Sequence, residues 1–155
     1  MTAQEPRIDA PHDFERLSVA DVMHRGVVTC ARQTSLVTVA HLMATERIHC
    51  VAVVAVMPGA DQKLCGVVSD RDVLAAAVAG DLAEQTAAGC AATEVIAVAP
   101  GERLARAAEL MGEHGLTHLV VVEPGTMIPI GVLSTLDLAA VVGRSWPEPK
   151  VPMFA

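Results

Sequence analysis

Two short segments of the sequence, GVVSDRD and GVLSTLD, carry the same pair of polar residues at the same spacing. Ser69 precedes Asp72 in the first segment, and Ser134 precedes Asp137 in the second. A carboxylate has two acceptor oxygens, so one aspartate can receive hydrogen bonds from two vicinal hydroxyls, such as those of a ribose. A serine three residues before an acidic residue and an apolar run is also typical of a helix capping box. The spacing therefore favours a ligand-binding carboxylate, a helix cap, or both together.

The two segments differ in the residue that precedes the aspartate, which is Arg71 in the first and Leu136 in the second. An arginine can donate paired hydrogen bonds to a phosphate, whereas leucine offers no polar group. A solvated surface role for Arg71 is the alternative. If the segments bind a ligand, we expect the Asp72 site to carry more positive charge than the Asp137 site and to prefer phosphorylated ligands. The Asp137 site is then expected to be weaker or to tolerate an uncharged ligand.

These segments belong to a longer internal repeat. Residues 18–54 align with residues 86–122 at an offset of 68 without a gap, and the polar segments follow at an offset of 65. Repeats that form solenoids are usually about 20 to 50 residues long and need about three copies. A unit near 60 residues is only marginally stable alone. Two copies of this length therefore predict two small units that share a core about a pseudo-twofold axis.

Hydrophobic periodicity predicts the same order of elements in both copies, namely strand, helix, strand, strand, helix. The first helix of each copy has apolar residues at i, i+3, i+4 and i+7, beginning at Leu36 and at Leu104. The fold class is therefore α/β (α+β), with two β-α-β-β-α repeats. The predicted strands span residues 27–30, 51–56, 64–68, 95–98, 118–123 and 130–133, and the last helix of each copy spans residues 69–79 and 135–142.

The elements divide the chain into four parts. Residues 1–17 are polar and predict a flexible or loosely docked arm. Residues 18–80 and 81–143 are the first and second repeats. Residues 144–155 form a tail with three prolines, which we expect to be extended.

The composition argues against several classes of protein. Aromatic residues make up 2% of the 155 residues and the net charge is −7, which disfavours both base stacking and phosphate-backbone contacts. No apolar stretch approaches the roughly 20 residues that span a bilayer, and the polar N-terminus is unlike a signal peptide. We therefore expect a cytoplasmic protein that binds neither nucleic acid nor membrane. The four cysteines have no CxxC spacing and are interpreted as small core residues.

The sequence contains no G-x-S-x-G elbow, P-loop or GxGxxG motif, and nothing marks a residue as a nucleophile. His114 and His118 are four residues apart, a spacing that suits two metal ligands on one helix. Gly115 is expected to end that helix between them, so the two side chains should point apart. We expect neither an enzyme, nor a metal site, nor a bound cofactor.

The doubled β-α-β-β-α unit, closed in both copies by a segment of the form G-V-[VL]-S-x-x-D, resembles a tandem pair of cystathionine-β-synthase-type (CBS) domains, known as a Bateman module. The lead-in SVADVM at residues 18–23 is also similar to that family. The order of the elements and their repetition carry the resemblance, which extends over about residues 18–142.

The resemblance implies roles for the polar pair in each copy. Asp72 and Asp137 would hold the ribose of an adenosine-containing ligand. Ser69 and Ser134 would support its sugar or phosphate. These roles can coexist with helix capping.

A second set of implied site residues lies at the start of the central strand of each copy. Family members often carry basic residues there, followed by a proline. His49 and His118 keep part of that character, whereas Ala52 and Val120 replace the proline, and this departure weakens the expectation of polyphosphate binding. A histidine near a strand end can equally be a partly exposed polar residue.

The first strand of each copy completes the implied site, because in the family it supplies backbone groups and apolar walls to the purine. This places Val28 and Thr29 of the first copy, and Ile96 and Ala97 of the second, at the ligand. Such small side chains are equally compatible with ordinary core strands.

The resemblance implies a stand-alone regulatory module that binds AMP, ADP, ATP or S-adenosylmethionine between its repeats. It also implies a homodimer, for which the apolar helices at residues 102–114 and 135–142 are suitable surfaces. Ligand binding would shift the balance between dimer shapes, and an effector protein on another polypeptide would respond. The alternative is an interaction or scaffold dimer that has lost the nucleotide. The missing prolines favour this alternative, and the Ser-x-x-Asp pair in both copies opposes it.

Overall fold

The structure is a computed structural model of the 155-residue chain. It describes residues 12–56, 58–59, 61–91 and 95–146. Within these residues the elements are, in chain order, α1 (His12–Arg16), α2 (Val19–Val22), β1 (His24–Arg25), β2 (Thr29–Ala31), α3 (Leu36–Glu46), β3 (Cys50–Val56), β4 (Gln62–Ser69), α4 (Asp70–Ala79), α5 (Ala87–Cys90), β5 (Ala97–Val98), α6 (Leu104–His114), β6 (His118–Val122), β7 (Pro129–Ser134) and α7 (Thr135–Ser145).

The strands form two sheets, one for each repeat. In the first sheet β2 runs parallel to β3, and β4 runs antiparallel to β3. The second sheet repeats this pattern with β5, β6 and β7, and β1 pairs with β7 at its other edge. Residues that align in sequence take the same register, since Thr29 faces Ala52 in the first sheet and Ala97 faces Val120 in the second. The predicted α/β fold of two β-α-β-β-α repeats is confirmed.

The lead-in helix of each repeat packs against the other repeat. Val19 of α2 is fully buried in the core of the second repeat, and α5 lies in the same way against the core of the first. Two equivalent backbone bridges mark this exchange, since Ser18 pairs with Arg103 and Ser35 pairs with Thr86. The residues that pack into one core therefore do not all come from one sequence repeat, because each core is completed by a segment from the other repeat.

Three clusters of buried apolar residues stabilise the fold. Each repeat contains one cluster, and the third lies between the two sheets, where Ala52 and Leu64 of the first repeat meet Val120 and Val122 of the second. Ala52 and Val120 are fully buried. These are the positions where the family resemblance led us to expect proline, and here their side chains pack the two sheets together. Since a unit of about 60 residues is only marginally stable alone, this shared cluster adds stability to both repeats.

The arm expected over residues 1–17 is wrong for its final part, which is helical. Phe14 of α1 and the following Leu17 pack against the core of the second repeat. The carbonyl of Leu17 also accepts a hydrogen bond of 2.9 Å from the Leu104 amide, which fixes the end of the segment at the start of α6. Residues 1–11, where the rest of the expected arm falls, lie outside the described residues.

Helix α7 ends at Ser145, later than the predicted Val142, so the start of the tail expected over residues 144–155 is helical rather than extended. Val141 stabilises these additional helical residues. Its side chain is buried, and its carbonyl accepts a hydrogen bond from the Ser145 hydroxyl. Residues 147–155 lie outside the described residues. Even with this extension, no helix in the described part of the chain is long and apolar enough to cross a membrane.

Candidate functional site

Two clefts lie between the repeats, and each is built around one of the predicted aspartates. We call them the Asp72 cleft, of about 460 Å³, and the Asp137 cleft, of about 620 Å³. Both volumes fall within the range of small-molecule sites, about 300 to 1,000 Å³. The Asp72 cleft combines Val67, Ser69, Arg71 and Asp72 of the first repeat with Val95, Ile96 and residues 115–118 of the second. The Asp137 cleft combines Val132, Ser134, Leu136 and Asp137 with residues 24–28 and 47–50.

Asp72 caps helix α4 with one of its two carboxylate oxygens. The amide and hydroxyl of Ser69 both donate to Asp72 Oδ2, at 2.8 and 2.9 Å, and the Asp72 amide donates back to the Ser69 hydroxyl. The capping box predicted from the spacing is therefore formed. Among the described residues, Asp72 Oδ1 has no hydrogen-bond partner, so one oxygen of a cleft-lining carboxylate is left for a ligand.

Asp137 caps helix α7 in the same way, but its second oxygen is occupied. Asp137 Oδ2 accepts a hydrogen bond of 2.8 Å from the Ser134 amide, and Oδ1 accepts one of 2.8 Å from His24 Nε2. The His24 side chain is 76% exposed, whereas that of Asp137 is 13% exposed. Nothing in the sequence pattern marked His24 as a site residue, because its strand β1 is only two residues long.

Strand β1 can lie beside β7 because residue 131 is a glycine. His24 is opposite Val132 and Arg25 is opposite Gly131. A Cβ atom at Gly131 would come within 2.7 Å of the His24 carbonyl oxygen, closer than real Cβ contacts. The absence of a side chain at this position therefore brings His24 and Arg25 to the rim of the Asp137 cleft.

His49 and His118 form a stacked pair where the two clefts meet. Their ring centroids are 5.6 Å apart with an angle of 26° between the planes. His49 Nδ1 donates to Asp70 Oδ2 at 2.9 Å, and this hydrogen bond lowers the pKa of the Asp70 carboxyl. His118 Nδ1 and the Thr117 hydroxyl oxygen are 2.9 Å apart, and His118 lines both clefts. The two histidines predicted from the strand starts are therefore brought together.

The distribution of positive charge is the reverse of the one expected from the sequence. Arg25 and Arg47 line the Asp137 cleft together with three histidines, whereas the Asp72 cleft contains Arg71 and one histidine. The expectation that the Asp72 site carries more positive charge is wrong, because it counted only the residue next to each aspartate.

The family model of the CBS domain matches the sequence twice, over residues 19–79 and 88–144. The chain belongs to the CBS domain family. Within the family it is a tandem pair, since the two matched stretches correspond to the two repeats of the structure. No curated protein matches the chain.

Solved structures of CBS domain proteins share this fold. The CBS domain pair of protein MJ0100, in complex with 5′-methylthioadenosine and S-adenosyl-L-methionine, is 18% identical, with a TM-score of 0.74 over 83% of this chain and 97% of that chain. A putative acetoin utilization protein from Vibrio cholerae is 30% identical, with a TM-score of 0.71 over 83% and 92%. A CBS domain protein from Pyrobaculum aerophilum complexed with AMP is 26% identical, with a TM-score of 0.71 over 83% and 97%.

The apolar residues that line the two clefts of the CBS pair begin one residue earlier in each repeat than the expected pairs Val28–Thr29 and Ile96–Ala97. Val28 lines the Asp137 cleft and Ile96 lines the Asp72 cleft, in each case together with the preceding valine. Thr29 and Ala97 line neither cleft, because they already belong to strands β2 and β5 and face the central strands. The part of each segment that reaches the clefts is therefore the stretch just before the strand.

Two cysteines line the Asp72 cleft of the CBS pair, Cys50 and Cys90. Burial raises the pKa of the Cys50 thiol to about 11, and burial also raises the pKa of Cys90. Cys50 is therefore a neutral thiol near pH 7, unlike the thiolates of catalytic cysteines. The described residues include no group of three or more histidine, cysteine, aspartate or glutamate side chains placed to hold a metal ion.

We predict that the stability of the CBS pair falls as the pH drops below about 6.5, because of His118. Burial, followed by the nearby His49, lowers the pKa of His118 below 6.5, although the Asp70 and Asp137 carboxylates act in the opposite direction. The unfolded chain then binds more protons, so stability is complete above pH 6.5 and is lost as the pH falls through the folded-state pKa. The lowered pKa of Asp70 affects the stability only in more acidic solution, at a pH below 3.8.

Urea unfolding of the wild type and of His118→Gln between about pH 5 and pH 7.5 measures this effect. The loss of unfolding free energy on acidification is expected to be smaller in the variant. The control is His41→Gln, since His41 is exposed on α3, and it should follow the wild type. Equal pH dependence in all three proteins would contradict the assignment.

Proposed function

We propose that this CBS pair is a regulatory module that binds an adenosine-containing ligand between its repeats. The arrangement of the clefts supports this proposal most strongly. Each cleft places an aspartate at a helix N-terminus opposite an apolar segment from the other repeat, Asp72 with Ile96 and Asp137 with Val28. A carboxylate suits the two hydroxyls of a ribose, and apolar side chains suit the faces of a purine.

The charge of the clefts favours a phosphate-bearing ligand over S-adenosylmethionine. Arg25 and Arg47, with His49 and His118, give the Asp137 cleft a set of hydrogen-bond donors for an anion. S-adenosylmethionine carries a positive sulfonium, which the guanidinium groups of Arg25 and Arg47 would repel. AMP, ADP and ATP are therefore the preferred candidates, and the similar CBS protein from Pyrobaculum aerophilum was solved with AMP.

The proposed role is regulatory and not catalytic. The cleft cysteine Cys50 is buried with a raised pKa, so it is not an activated nucleophile. A ligand that contacts both repeats at once can favour one relative position of the repeats over another, and an effector protein can respond to that change. The proposed ligand is thus a signal and not a substrate.

We predict that Asp72→Ala weakens binding of AMP about tenfold or more, because a hydrogen bond to a charged acceptor contributes about 1.5 to 3 kcal/mol. Asp21→Ala is the matched control. Asp21 caps α2 with the same geometry, accepting from the amide and hydroxyl of Ser18 at 2.8 and 3.0 Å, but lines neither cleft. Calorimetric titration should show weaker binding only in Asp72→Ala.

Two results would contradict the proposal. If Asp72→Ala and Asp137→Ala both bind AMP as tightly as the wild type, the ligand site lies elsewhere. If AMP, ADP, ATP and S-adenosylmethionine at millimolar concentration all leave the melting temperature unchanged, the scaffold function is the better explanation. A ligand at about 100 times its dissociation constant should add roughly 2.7 kcal/mol to the stability.

The cationic residue Arg47 occupies a backbone position that favours glycine. Arg47 has a φ of 54°, and its equivalent in the second repeat is Gly115, with a φ of 63°. A non-glycine residue in this left-handed region costs roughly 1 kcal/mol. Arginine therefore does not stabilise the backbone conformation at this position. What Arg47 contributes is a positive charge at the Asp137 cleft.

We predict that Arg47→Gly separates stability from ligand preference. The free energy of unfolding should stay unchanged or rise by up to about 1 kcal/mol. In an Asp72→Ala background, in which the Asp72 cleft is weakened, Arg47→Gly should weaken AMP binding in the Asp137 cleft about tenfold and leave adenosine binding there unchanged. Arg71→Leu in the same background is the control, because Arg71 lines only the other cleft. Equal losses for AMP and adenosine would overturn the phosphate role of Arg47.

We propose α4, rather than α6, as the surface through which a homodimer would form. The apolar residues of α6 face its own core, and its outer face carries Arg106 paired with Glu109 and Glu113. Leu74 and Val78, one turn apart on α4, are 64% and 89% exposed. Paired apolar side chains on one helix face would be covered by a second copy in an isologous dimer. Helix α7 remains a further candidate for the dimer surface, since its residue Leu136 is also exposed.

We predict a wild-type mass in light scattering of twice 16.2 kDa, and a mass near 16.2 kDa for Leu74→Arg and Val78→Arg. Each charge would have to be buried without a partner in the dimer, which is costly. Val56→Arg, at an exposed apolar residue at the end of β3, is the control and should remain dimeric. A wild type that stays at the mass of one chain across micromolar concentrations would exclude the homodimer.

A further inference from the structure

The two clefts present their aspartates in different states. Asp72 has one oxygen in its helix cap and one without a partner among the described residues. Asp137 has one oxygen in its cap and one bound to His24 at 2.8 Å. The second oxygen is the one that a ribose would need, so the difference lies at the binding atom itself.

We propose that His24 is a specificity-determining residue that latches the Asp137 cleft. It holds Asp137 Oδ1 in the empty cleft and competes there with the hydroxyls of a ligand. The inference rests on the proposed function, in which this carboxylate receives the ribose. The Asp72 cleft therefore fills first, and the Asp137 cleft fills only when a ligand displaces the imidazole.

The His24 contact is not needed for the helix cap. Asp72 forms its capping box with Ser69 alone, and no imidazole takes part. The cap of Asp137 is also a capping box with Ser134, in which the Ser134 amide donates to Oδ2 and the Asp137 amide donates to the Ser134 hydroxyl, so Oδ1 takes no part in the cap. The His24 bond is therefore an addition at the ligand-facing oxygen and not a component of helix termination.

The latch can open because little holds the imidazole except Asp137. The His24 side chain is 76% exposed, and its strand β1 consists of two residues. An exposed histidine can rotate away from the carboxylate without disturbing the core. Asp137, by contrast, is 13% exposed and stays fixed by the Ser134 amide. The carboxylate thus remains in place as a ligand group while the imidazole moves.

The strength of the latch sets the separation between the two clefts. A ligand that takes Oδ1 must first break a hydrogen bond to a charged acceptor. Breaking this bond is expected to raise the dissociation constant about tenfold. A hydrogen bond between two buried partners would cost more, but the His24 side chain is exposed to solvent. The Asp137 cleft is therefore expected to bind AMP about tenfold more tightly once His24 is removed.

Calorimetric titration with AMP tests this on the full chain. Asp72→Ala weakens the Asp72 cleft to about the level of the latched Asp137 cleft, so the double variant Asp72→Ala with His24→Ala is expected to show an AMP site about tenfold tighter than in Asp72→Ala alone. His24→Gln in the same background retains an N–H donor, so it should keep the weaker binding. His41→Ala, at an exposed histidine of α3, is the matched control and should have no effect.

Each outcome bears on the latch. If His24→Ala leaves AMP binding in the Asp137 cleft unchanged, or weakens it as a lost ligand contact would, the latch is wrong while the proposed function stands. If the wild type binds no AMP but His24→Ala does, the latch holds and the proposed function fails for the native chain. If neither binds AMP, both are overturned.

Discussion

Neither repeat of this chain closes its own core, and the rest of the structure depends on that constraint. A unit of about 60 residues buries a small share of its surface and is only marginally stable alone. Here each repeat is completed by the lead-in helix of the other, with Val19 buried among residues of the second repeat and Ala87 among those of the first. The same exchange brings the segment after each lead-in to the opposite sheet. Because of it, each cleft contains an aspartate from one repeat and an apolar wall from the other.

The helix cap links this architecture to ligand chemistry. The first amides of a helix lack partners within the helix, and a capping side chain satisfies them. In α4 and α7 the partner of the cap serine is an aspartate, which uses one oxygen for the cap. The backbone then holds the carboxylate in a single orientation with its second oxygen at the cleft. A protein carboxylate that is already fixed before binding loses little conformational freedom when a ligand binds to it.

Much of the fold could be predicted from the sequence because it is repeated. The offset between Leu36 and Leu104 aligned two amphipathic helices, and the Ser69–Asp72 spacing identified a cap that the structure contains. His24 could not be found in this way, because a strand of two residues has no periodicity and its partner Asp137 is 113 positions away. The charge of the clefts was misjudged for the same reason. Arg47 lies far from Asp137 in the sequence, and only the fold brings both residues to the same cleft.

The two clefts are separated by a shared wall, since Cys50 and His118 line both of them. These residues occupy equivalent positions in the two repeats, so the wall lies at the pseudo-twofold axis. A molecule in one cleft that moves either side chain also changes the shape of the other cleft. Thermodynamic reciprocity requires that any such influence on affinity be equal in both directions. If both clefts bind ligands as proposed, the occupancy of each cleft would depend on what fills the other, and the protein would respond to a combination of two concentrations rather than to each one separately.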